Sequence, residues 1–285
     1  MLNRVVHHLG GRAPYVVHRL DSPTSGLLVF AKTRFAAASL ALQFRQRLLS
    51  KQYLAVLCGE PPAATFHVDA PIARHPTIST LSIIVPRVSG DATRNDLDGG
   101  DDATHGDRLN DDDDEASLLP NLDLDADGSG RESITGAESL TNFEAVLTGG
   151  GATLCRVRPV TGRMHQIRVH ADHLGLPLAG DSQYGSARQP SPQLSRLLLH
   201  AHTLEVEHPT SQRRIRFASP LPPDFIEAMV SLGFEPAAAA EAASSLTPQP
   251  VEWLGEPRVG PAIQNKKRRT KQQTKGSREG LPPLP

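Results

Sequence analysis

The stretch from Val16 to Thr33, VVHRLDSPTSGLLVFAKT, is the part of the sequence that decides the fold. It places His18, Arg19 and Asp21 within four consecutive positions, directly before a Ser-Pro-Thr-Ser-Gly turn and an apolar run. The β-branched and apolar residues on both sides of the turn predict two short strands. A charged cluster is therefore expected at the mouth of a buried strand.

Asp21 admits two interpretations. An aspartate before Ser-Pro often accepts backbone N–H bonds in a turn. Arg19, however, lies two residues earlier and so on the same strand face, where its guanidinium favours an ionised carboxylate. An ionised carboxylate in an open cleft can act as a nucleophile, a base or a metal ligand. From these residues alone, both a structural and a chemical role stay open.

The charges are segregated along the chain. The 285 residues have a formal net charge of −1. Residues 91–132 contain 15 Asp or Glu and 3 Arg, so the remaining 27 basic and 16 acidic residues have a net charge of +11. The segment 266–279 holds 7 basic residues and 1 acidic one, which leaves the rest at +5. This surplus suits an anionic partner.

The composition divides the chain into folded and unfolded parts. The segment 89–132 is rich in Asp and Gly and predicts a disordered acidic insertion. A calcium loop is disfavoured there, because the bidentate Glu and flanking helices of an EF-hand are missing. The Ala-, Pro- and Lys-rich end predicts a flexible basic tail, 236–285. Residues 1–88 and 133–235 are therefore expected to form one domain.

Hydrophobic periodicity predicts both helices and short strands within this domain. Helical spacing is found in three segments, at 34–50, 162–175 and 221–233. Strand patterns occupy 51–60, 142–147, 152–160 and 197–208, with a Gly-rich turn that makes the middle two a hairpin.

A second charged cluster lies in RPVTGRMHQIRVH, Arg158 to His170. A helix from Gly162 would bring Arg163, Gln166 and His170 onto one face, with His165 and Arg168 at its sides. Such a face is either a basic surface in solvent or a set of donors that binds a phosphate or positions Asp21. Tyr53, at the start of a predicted strand, is either a core residue or a platform on which a base stacks.

Cysteine and histidine usage indicates neither a disulfide framework nor a zinc site. Cys58 and Cys155 lie in apolar strands without a CxxC pairing, which predicts reduced thiols in a reducing compartment. The pairs His170/His173 and His200/His202 lack further ligands at zinc spacing and are expected to pack or form hydrogen bonds. No apolar run approaches the roughly 18 residues of a membrane span, and the first residues are too short and polar for a signal peptide.

Taken together, these segments resemble the RluA-type pseudouridine synthases over nearly all of 14–88 and 133–230. The resemblance rests on the ordered motifs HRLDSPTSGLLVFAKT, KQYLAVLCGE, APIARHP, ESLTNFEAVL, RPVTGRMHQIRVHADHLGLPLAGDSQYG and LLLHAHTLEVEHP. That family detaches uracil from ribose C1′ in RNA, rotates it and rejoins it through C5. The resemblance implies an α+β catalytic domain with a central mixed, mostly antiparallel sheet flanked by helices. It also implies an RNA pseudouridine synthase, an isomerase, that needs no cofactor and no metal.

The resemblance also implies roles for individual residues. Asp21 matches the essential nucleophile, although the sequence does not decide whether it attacks the base or assists at the sugar. Tyr53 matches the tyrosine that stacks on the target base, and Arg163 the basic residue that pairs with the aspartate. Hydrophobic Ile167 and Leu198 are expected to wall the pocket. The residues expected to bind RNA or help flip the base are Arg19, His18, Lys51, His165, Gln166 and Arg168.

The expected partner is structured RNA, either rRNA or tRNA, bound by a monomer that does not contact a membrane. The acidic insertion and basic tail are unlike compact bacterial relatives and indicate a eukaryotic protein. The segment KKRRTK is interpreted as either a nuclear signal or an RNA-binding arm. The nucleus or the cytoplasm is therefore the favoured compartment, with the mitochondrion as an alternative. A solvated tail without a specific role is an equal alternative.

Two departures from the family leave alternatives open. Relatives usually carry two or three strands, with a Lys-Pro motif, before the segment that contains the catalytic motif. Here only about 17 residues stand before His18, so we expect either that the gene model begins late or that the sheet lacks one edge. We also find no S4-type RNA-binding domain in the given residues, so target choice is expected to come from the catalytic domain or the tail. The first alternative function is a catalytically silent RNA-binding homologue. The second is a metal-dependent phosphoesterase that uses Asp21, His18 and the His170/His173 pair.

Overall fold

The structure is a computed structural model that describes residues 2–87, 134–189, 194–246 and 250–254. The predicted acidic insertion 89–132 and the predicted tail beyond residue 254 lie outside the described residues. Within the described ranges, no helix combines the length and apolar character that a bilayer crossing requires.

Five α-helices and twelve strands make up the described chain. The helices are α1 (Leu2–His8), α2 (Arg34–Arg45), α3 (Gln166–His173), α4 (Pro223–Ser231) and α5 (Pro236–Leu246), with a short 3-10 helix at Ser186–Arg188. The strands are β1 (Tyr15–Val16), β2 (Ser25–Gly26), β3 (Phe30–Ala31), β4 (Ser50–Cys58), β5 (Thr65–Asp69), β6 (Ile72–Arg74), β7 (Ser82–Ile84), β8 (Leu140–Gly149), β9 (Ala152–Pro159), β10 (Leu199–Glu207), β11 (Arg214–Ala218) and β12 (Val251–Leu254).

One eight-stranded sheet organises the domain, and it is mixed and mostly antiparallel, as predicted. Its order is β12-β11-β10-β4-β9-β8-β5, and all of these neighbours pair antiparallel. The parallel element is β2, which pairs with the first residues of β10. The predicted hairpin is β8–β9, which turns at Gly150 and Gly151, both with positive φ.

Strand β4 divides the core into two layers, because alternate side chains of a strand point to opposite faces. Leu54 and Val56 pack on one face with α4 and α5. Ala55 and Leu57 pack on the other face with α3. Helix α2 lies over Leu204 of β10, which pairs with Lys51 on the α3 face. Helices α2 and α3 therefore cover different parts of the same face, and β4 forms the floor between them.

The helix predicted from Gly162 begins only at Gln166 in the structure. His165 has a left-handed φ of 56°, which interrupts the helical path before the first turn. Arg163 therefore belongs to a loop, and the predicted shared face of Arg163, Gln166 and His170 was wrong. Gly175, with φ 75°, follows the end of the helix as predicted.

The predicted boundary of the flexible tail at residue 236 was wrong. Residues 236–246 form α5, which buries Ala239, Ala242, Ala243 and Leu246 against α4. These four positions follow the i, i+3, i+4, i+7 spacing of one helical face. Alanines bury too little surface to stand out in the sequence, so the stripe was interpreted as a linker. Strand β12 then adds an edge to the sheet beside β11.

The segment from His18 to Leu27, which we call the motif loop, lies close against the backbone of β10. The amide of Thr24 donates to the carbonyl of Asp21 at 2.9 Å, so the tight turn spans 21–24 and overlaps the predicted Ser-Pro-Thr-Ser-Gly turn. The Leu27 amide donates to the carbonyl of Ala201. A Cβ on Gly26 would lie 2.2 Å from that carbonyl oxygen, and Gly26 has φ 108°. Only glycine fits there, and it fixes the end of the turn against the sheet.

A buried polar chain reinforces this attachment. His200 Nε2 lies 3.2 Å from the carbonyl of Ser219, which can only accept, so this nitrogen carries the proton. In the neutral ring, Nδ1 then accepts the Ser25 hydroxyl at 2.8 Å. Ser25 in turn accepts from Arg196 at 2.6 Å. The loop that carries Asp21 is thus tied to β10 through side chains as well as backbone.

Replacing Gly26 with alanine is expected to lower the free energy of unfolding by about 3 kcal/mol or more, because the new Cβ meets the backbone of Ala201. The matched control is Gly151→Ala, which also has a positive φ but has no atom within 4 Å of the added Cβ. That variant should lose about 1 kcal/mol. Chemical denaturation measures both, and equal losses would contradict the close approach.

The stability of the domain should fall as the pH drops below the ordinary histidine range. Burial lowers the pKa of His200 to about 4, with an opposing hydrogen bond to Ser219. Since the folded pKa lies below the unfolded 6.5, its contribution is complete above pH 6.5 and is lost as the pH falls toward 4. Thermal unfolding between these limits should show a shallower pH dependence in His200→Gln, and an unchanged slope would contradict this assignment.

Candidate active site

A small cavity of about 120 Å³ opens between the motif loop and the segment that leads into α3. Loop residues of the first motif form one wall and strand β4 forms the floor. The sequence-predicted site residues that line this cavity are Asp21, Arg19, Lys51, Tyr53, Arg163, His165, Gln166, Ile167 and Arg168. The fold thus brings together two motifs that are about 140 residues apart in the chain.

The Asp21 carboxylate faces two basic side chains. Its Oδ2 lies 3.7 Å from Nη1 of Arg168, and its Oδ1 lies 3.9 Å from Nε2 of His165. The side chain is 24% exposed, so it is sheltered by protein on most sides but open to the cavity. Because the contacts exceed hydrogen-bond length, the carboxylate keeps lone pairs that a ligand can meet.

The Arg168 guanidinium is held in place by a second carboxylate, that of Asp181. Its Nε and Nη2 donate to the two oxygens of Asp181, both at 2.8 Å, in a bidentate fork. Nη2 also donates to Gln183, and the guanidinium lies 4.9 Å from the centre of the Tyr184 ring. Both partners of the fork are almost fully buried. The remaining nitrogen, Nη1, is thereby held toward Asp21.

His165 is positioned by Tyr184. The Tyr184 hydroxyl accepts the amide of Ser82 and lies 2.9 Å from Nδ1 of His165. Burial lowers the pKa of His165, while the Asp21 carboxylate offsets part of this effect. A neutral ring that accepts the tyrosine hydroxyl at Nδ1 carries its proton on Nε2, the atom that faces Asp21.

Tyr53 and Lys51 project from β4 toward the cavity. Burial raises the pKa of Tyr53 to about 12, and the negative charge of Asp21 contributes. The phenol is therefore protonated near neutral pH and offers an aromatic face and a hydroxyl. Burial also lowers the pKa of Lys51, and the neighbouring Arg47 guanidinium lowers it further.

The arginine beside Asp21 is not the one that the sequence indicated. Among the ion pairs of the described residues, Arg168 takes the position expected of Arg163. Arg163 lines the cavity, but its Nε donates to the carbonyl of Glu138 at 3.4 Å. The resemblance had pointed to Arg163, whereas in the structure the left-handed His165 turns the chain between the two arginines.

Leu198 does not wall the cavity, contrary to expectation. It is fully buried in the cluster that contains α4 and α5, on the opposite face of the sheet. Its neighbour Leu199 lines the cavity instead. Adjacent strand residues point to opposite faces, so a shift of one position reverses the assignment. Ile167 lines the cavity as expected.

Two further predicted RNA-binding residues are occupied by structural contacts. The Gln166 amide is buried and bonds to Thr161 at 2.6 Å and to Thr141 at 2.9 Å, which braces the start of α3. His18 accepts the amide of Val29 at Nε2 and stacks on Phe44. Burial lowers the pKa of His18 to about 4, with a contribution from Lys51. Its neutral ring joins the motif loop to α2.

Asp181 and Tyr184 are the site residues that sequence reasoning missed. Both belong to the GDSQYG segment, which the motif comparison included but to which no role was assigned. The available sequence signal was the Gly-Asp pair at 180–181, which is typical of a turn, and in the structure Gly180 has a positive φ of 77°. Nothing in its spacing indicates that it lies against Arg168, because that contact spans a loop.

The geometry does not assemble the phosphoesterase site considered above. Both ring nitrogens of His170 are within hydrogen-bond distance of Thr141 and the Ala70 carbonyl, and His18 is bonded to Val29. In the part of the chain that the structure describes, no group of three or more His, Cys, Asp or Glu side chains is arranged to hold a metal ion.

Removing the Arg168 side chain is expected to destabilise the fold strongly. Arg168→Met leaves the buried Asp181 carboxylate without its partner, at a cost of about 3–5 kcal/mol. The double variant Arg168→Met/Asp181→Asn should recover part of this loss. Arg188→Met, which breaks an exposed pair with Asp172, is the control and should cost about 1 kcal/mol or less. Equal losses of unfolding free energy for Arg168→Met and Arg188→Met in urea denaturation would show that the buried fork contributes no more than an exposed ion pair.

Comparison with known proteins agrees with this geometry. The family model described as RNA pseudouridylate synthase matches residues 3–173. RNA pseudouridine synthase 2, chloroplastic, of Oryza sativa subsp. japonica is 32% identical over 239 residues, covering 77% of this chain and 44% of the relative. Ribosomal large subunit pseudouridine synthase D of Pasteurella multocida is 29% identical over 247 residues, covering 81% of this chain and 61% of the relative. The chain thus spans about half of the length of these curated relatives.

Two solved human structures share the fold. Human RNA Pseudouridylate Synthase Domain Containing 1 superposes with a TM-score of 0.55 at 24% identity, covering 85% of this chain and 84% of that one. Human RNA Pseudouridylate Synthase Domain Containing 4 gives a TM-score of 0.56 at 21% identity and covers 81% of each chain. With the family model matching more than half of its residues, this chain belongs to the RNA pseudouridylate synthase family, and within it to the RluA type.

Proposed function

We propose that this protein isomerises uridine to pseudouridine in structured RNA, rRNA or tRNA, with Asp21 as the nucleophile. The observation that carries the proposal is the carboxylate of Asp21, which faces an open cavity while Arg168 and His165 lie at its back. Membership of the family supports the reaction class.

The reaction is an isomerisation whose atoms and electrons balance without a co-reactant. The bond between ribose C1′ and uracil N1 breaks, the base rotates, and a bond forms between C1′ and C5. The proton that leaves C5 and the proton that N1 gains cancel in the overall balance. Cleavage of the glycosidic bond leaves positive character at C1′, which a carboxylate beside the sugar stabilises.

Arg168 and His165 act through Asp21. Their positive charge and N–H dipole attract the two carboxylate oxygens and restrict the rotation of the side chain. The fork to Asp181 holds the guanidinium in place, so the orientation of Asp21 is set before the substrate arrives. Preorganised charge of this kind accounts for much of the rate enhancement in many enzymes.

The target uridine has to leave its stack to reach the cavity. Extrusion of a base costs on the order of a few kcal/mol. Stacking on the ring of Tyr53 and phosphate contacts from Arg19 and Lys51 would offset that cost, since both arise only when the nucleotide is extruded. We also expect Arg19, which lines the cavity close to Asp21 in the chain, to help displace the target nucleotide.

The nature of the RNA is supported by the names of relatives. The Pasteurella multocida relative acts on the large ribosomal subunit by its name, which favours rRNA here. The two cysteines are free thiols, and burial raises the pKa of Cys155 to about 12. The reducing compartment stays a prediction. The monomeric state and the nuclear or cytoplasmic location stay predictions.

Asp21→Asn is expected to lower the rate of pseudouridine formation by at least about a thousandfold, because the amide carries no negative charge and is a poor nucleophile. Nucleosides from a digested uridine-containing RNA are separated chromatographically after incubation with the purified protein. The control is Asp172→Asn, which removes an exposed carboxylate of α3 outside the cavity and should leave the rate unchanged.

Each alternative function predicts a different result in this experiment. RNA binding without product from the unmodified protein would favour the silent homologue. RNA cleavage that stops when a chelator is added would favour the phosphoesterase. Equal rates for the Asp21→Asn and unmodified proteins would remove Asp21 from the proposed chemistry while leaving the family assignment intact.

A further inference from the structure

A groove of about 610 Å³ adjoins the catalytic cavity and opens away from Asp21. One wall is the C-terminal half of α2, with Ala41, Phe44 and Arg45. The other wall is the segment 160–163, and the floor is the start of β4. The groove shares Arg19, Lys51, Tyr53, Thr161, Gly162 and Arg163 with the catalytic cavity, so the two spaces are continuous.

The charged side chains that line the groove are all basic. Its charged residues are Arg19, Arg45, Arg47, Lys51 and Arg163, and no Asp or Glu is among the described residues that line it. We call it the cationic groove. No ion pair of the described residues involves Arg19, Arg45 or Arg47. Five like charges this close repel one another unless an anion lies between them.

The position of Arg47 is unusual for an arginine. The end of α2 forms a Schellman motif, in which the Leu48 amide donates to Gln43 and the Arg47 amide donates to Phe44. Arg47 occupies the left-handed position of this motif, with φ 56°, where glycine is the usual residue. An arginine in this backbone conformation lowers the free energy of unfolding relative to glycine, and strained residues of this kind cluster at functional sites.

Lys51 lies deep in the same groove. It is largely buried, and burial followed by repulsion from Arg47 lowers its pKa. A Cβ on Gly162 would come within 3.3 Å of its Nζ, so the ammonium lies directly over the 160–163 segment. The favourable effect of cations on a helix C-terminus accounts for Arg45, but not for Lys51 on β4 or for Arg163 on the opposite wall.

We propose that the cationic groove binds backbone phosphates of the RNA strand that adjoins the target uridine, with Arg45 and Arg47 as its outer contacts. This inference rests on the proposed function, because the extruded base is assigned to the neighbouring cavity. The flanking nucleotides then leave the cavity between α2 and the segment 160–163, over Lys51. The groove recognises phosphate, so it contributes affinity and strand position but no base specificity.

Arg47→Gly provides a variant that separates binding from folding. Glycine suits the left-handed position, so the free energy of unfolding should not fall, while one cation of the groove is lost. Arg45→Gln removes a second cation. The matched control is Arg34→Gln at the exposed first turn of the same helix, outside the groove. Arg47→Lys keeps the charge and tests whether the charge itself is needed.

Binding is measured by fluorescence anisotropy with a fluorescein-labelled RNA hairpin that carries uridines in its loop. The double variant Arg45→Gln/Arg47→Gly should bind about tenfold more weakly at physiological salt. The slope of log K against log salt should fall by about 0.7 for each lost contact. Arg34→Gln and Arg47→Lys should keep the affinity and slope of the unmodified protein.

Unchanged affinity and slope in the double variant would overturn this proposal, as would an equal loss in Arg34→Gln. Failure of the unmodified protein to bind the hairpin would overturn it as well. If Arg47→Gly were destabilised, Arg45→Gln alone should still lower the slope, and an unchanged slope would reject the groove. Binding losses as expected, without any pseudouridine from the unmodified protein, would support the groove and reject the proposed reaction.

Discussion

The buried fork between Arg168 and Asp181 is the interaction on which the site depends. Asp181 takes two nitrogens of the guanidinium and leaves the third directed at Asp21. A buried guanidinium without a carboxylate partner would be strongly unfavourable, so the fork satisfies a structural need and also directs the guanidinium at the Asp21 carboxylate. His165, held by Tyr184, approaches the same carboxylate from the other side.

The sheet brings these groups together at one opening on its surface. Gly26 lets the motif loop lie against β10, and Tyr53 pairs with Ala201 on the neighbouring strand, so Asp21 and Tyr53 meet at the same end of the sheet. Helices α2 and α3 cover different parts of the same face and leave the start of β4, at Lys51 and Tyr53, to line the opening between them. The catalytic cavity and the cationic groove are the two halves of this opening.

The mistaken assignments share one origin, which is the direction of side chains. The resemblance pointed to Arg163, but the chain turns at the left-handed His165 between the two arginines of this motif, and Arg168 forms the ion pair with Asp21. Leu198 and Leu199 differ by one strand position and therefore by one face of the sheet. The residues of α5 were assigned to a linker because a stripe of alanines is a weak signal until a partner helix packs on it.

The sequence by itself determined the class of fold, the order of strands and helices in the recognisable segments, and the motif that contains Asp21. These features follow from local patterns, namely turn residues, the alternation of strands and the periodicity of helices. Tertiary structure alone decided which arginine faces Asp21, that Asp181 holds it, and that Arg45 and Arg47 line the same opening. Such contacts join residues far apart in the chain, and their geometry depends on packing that no local pattern encodes.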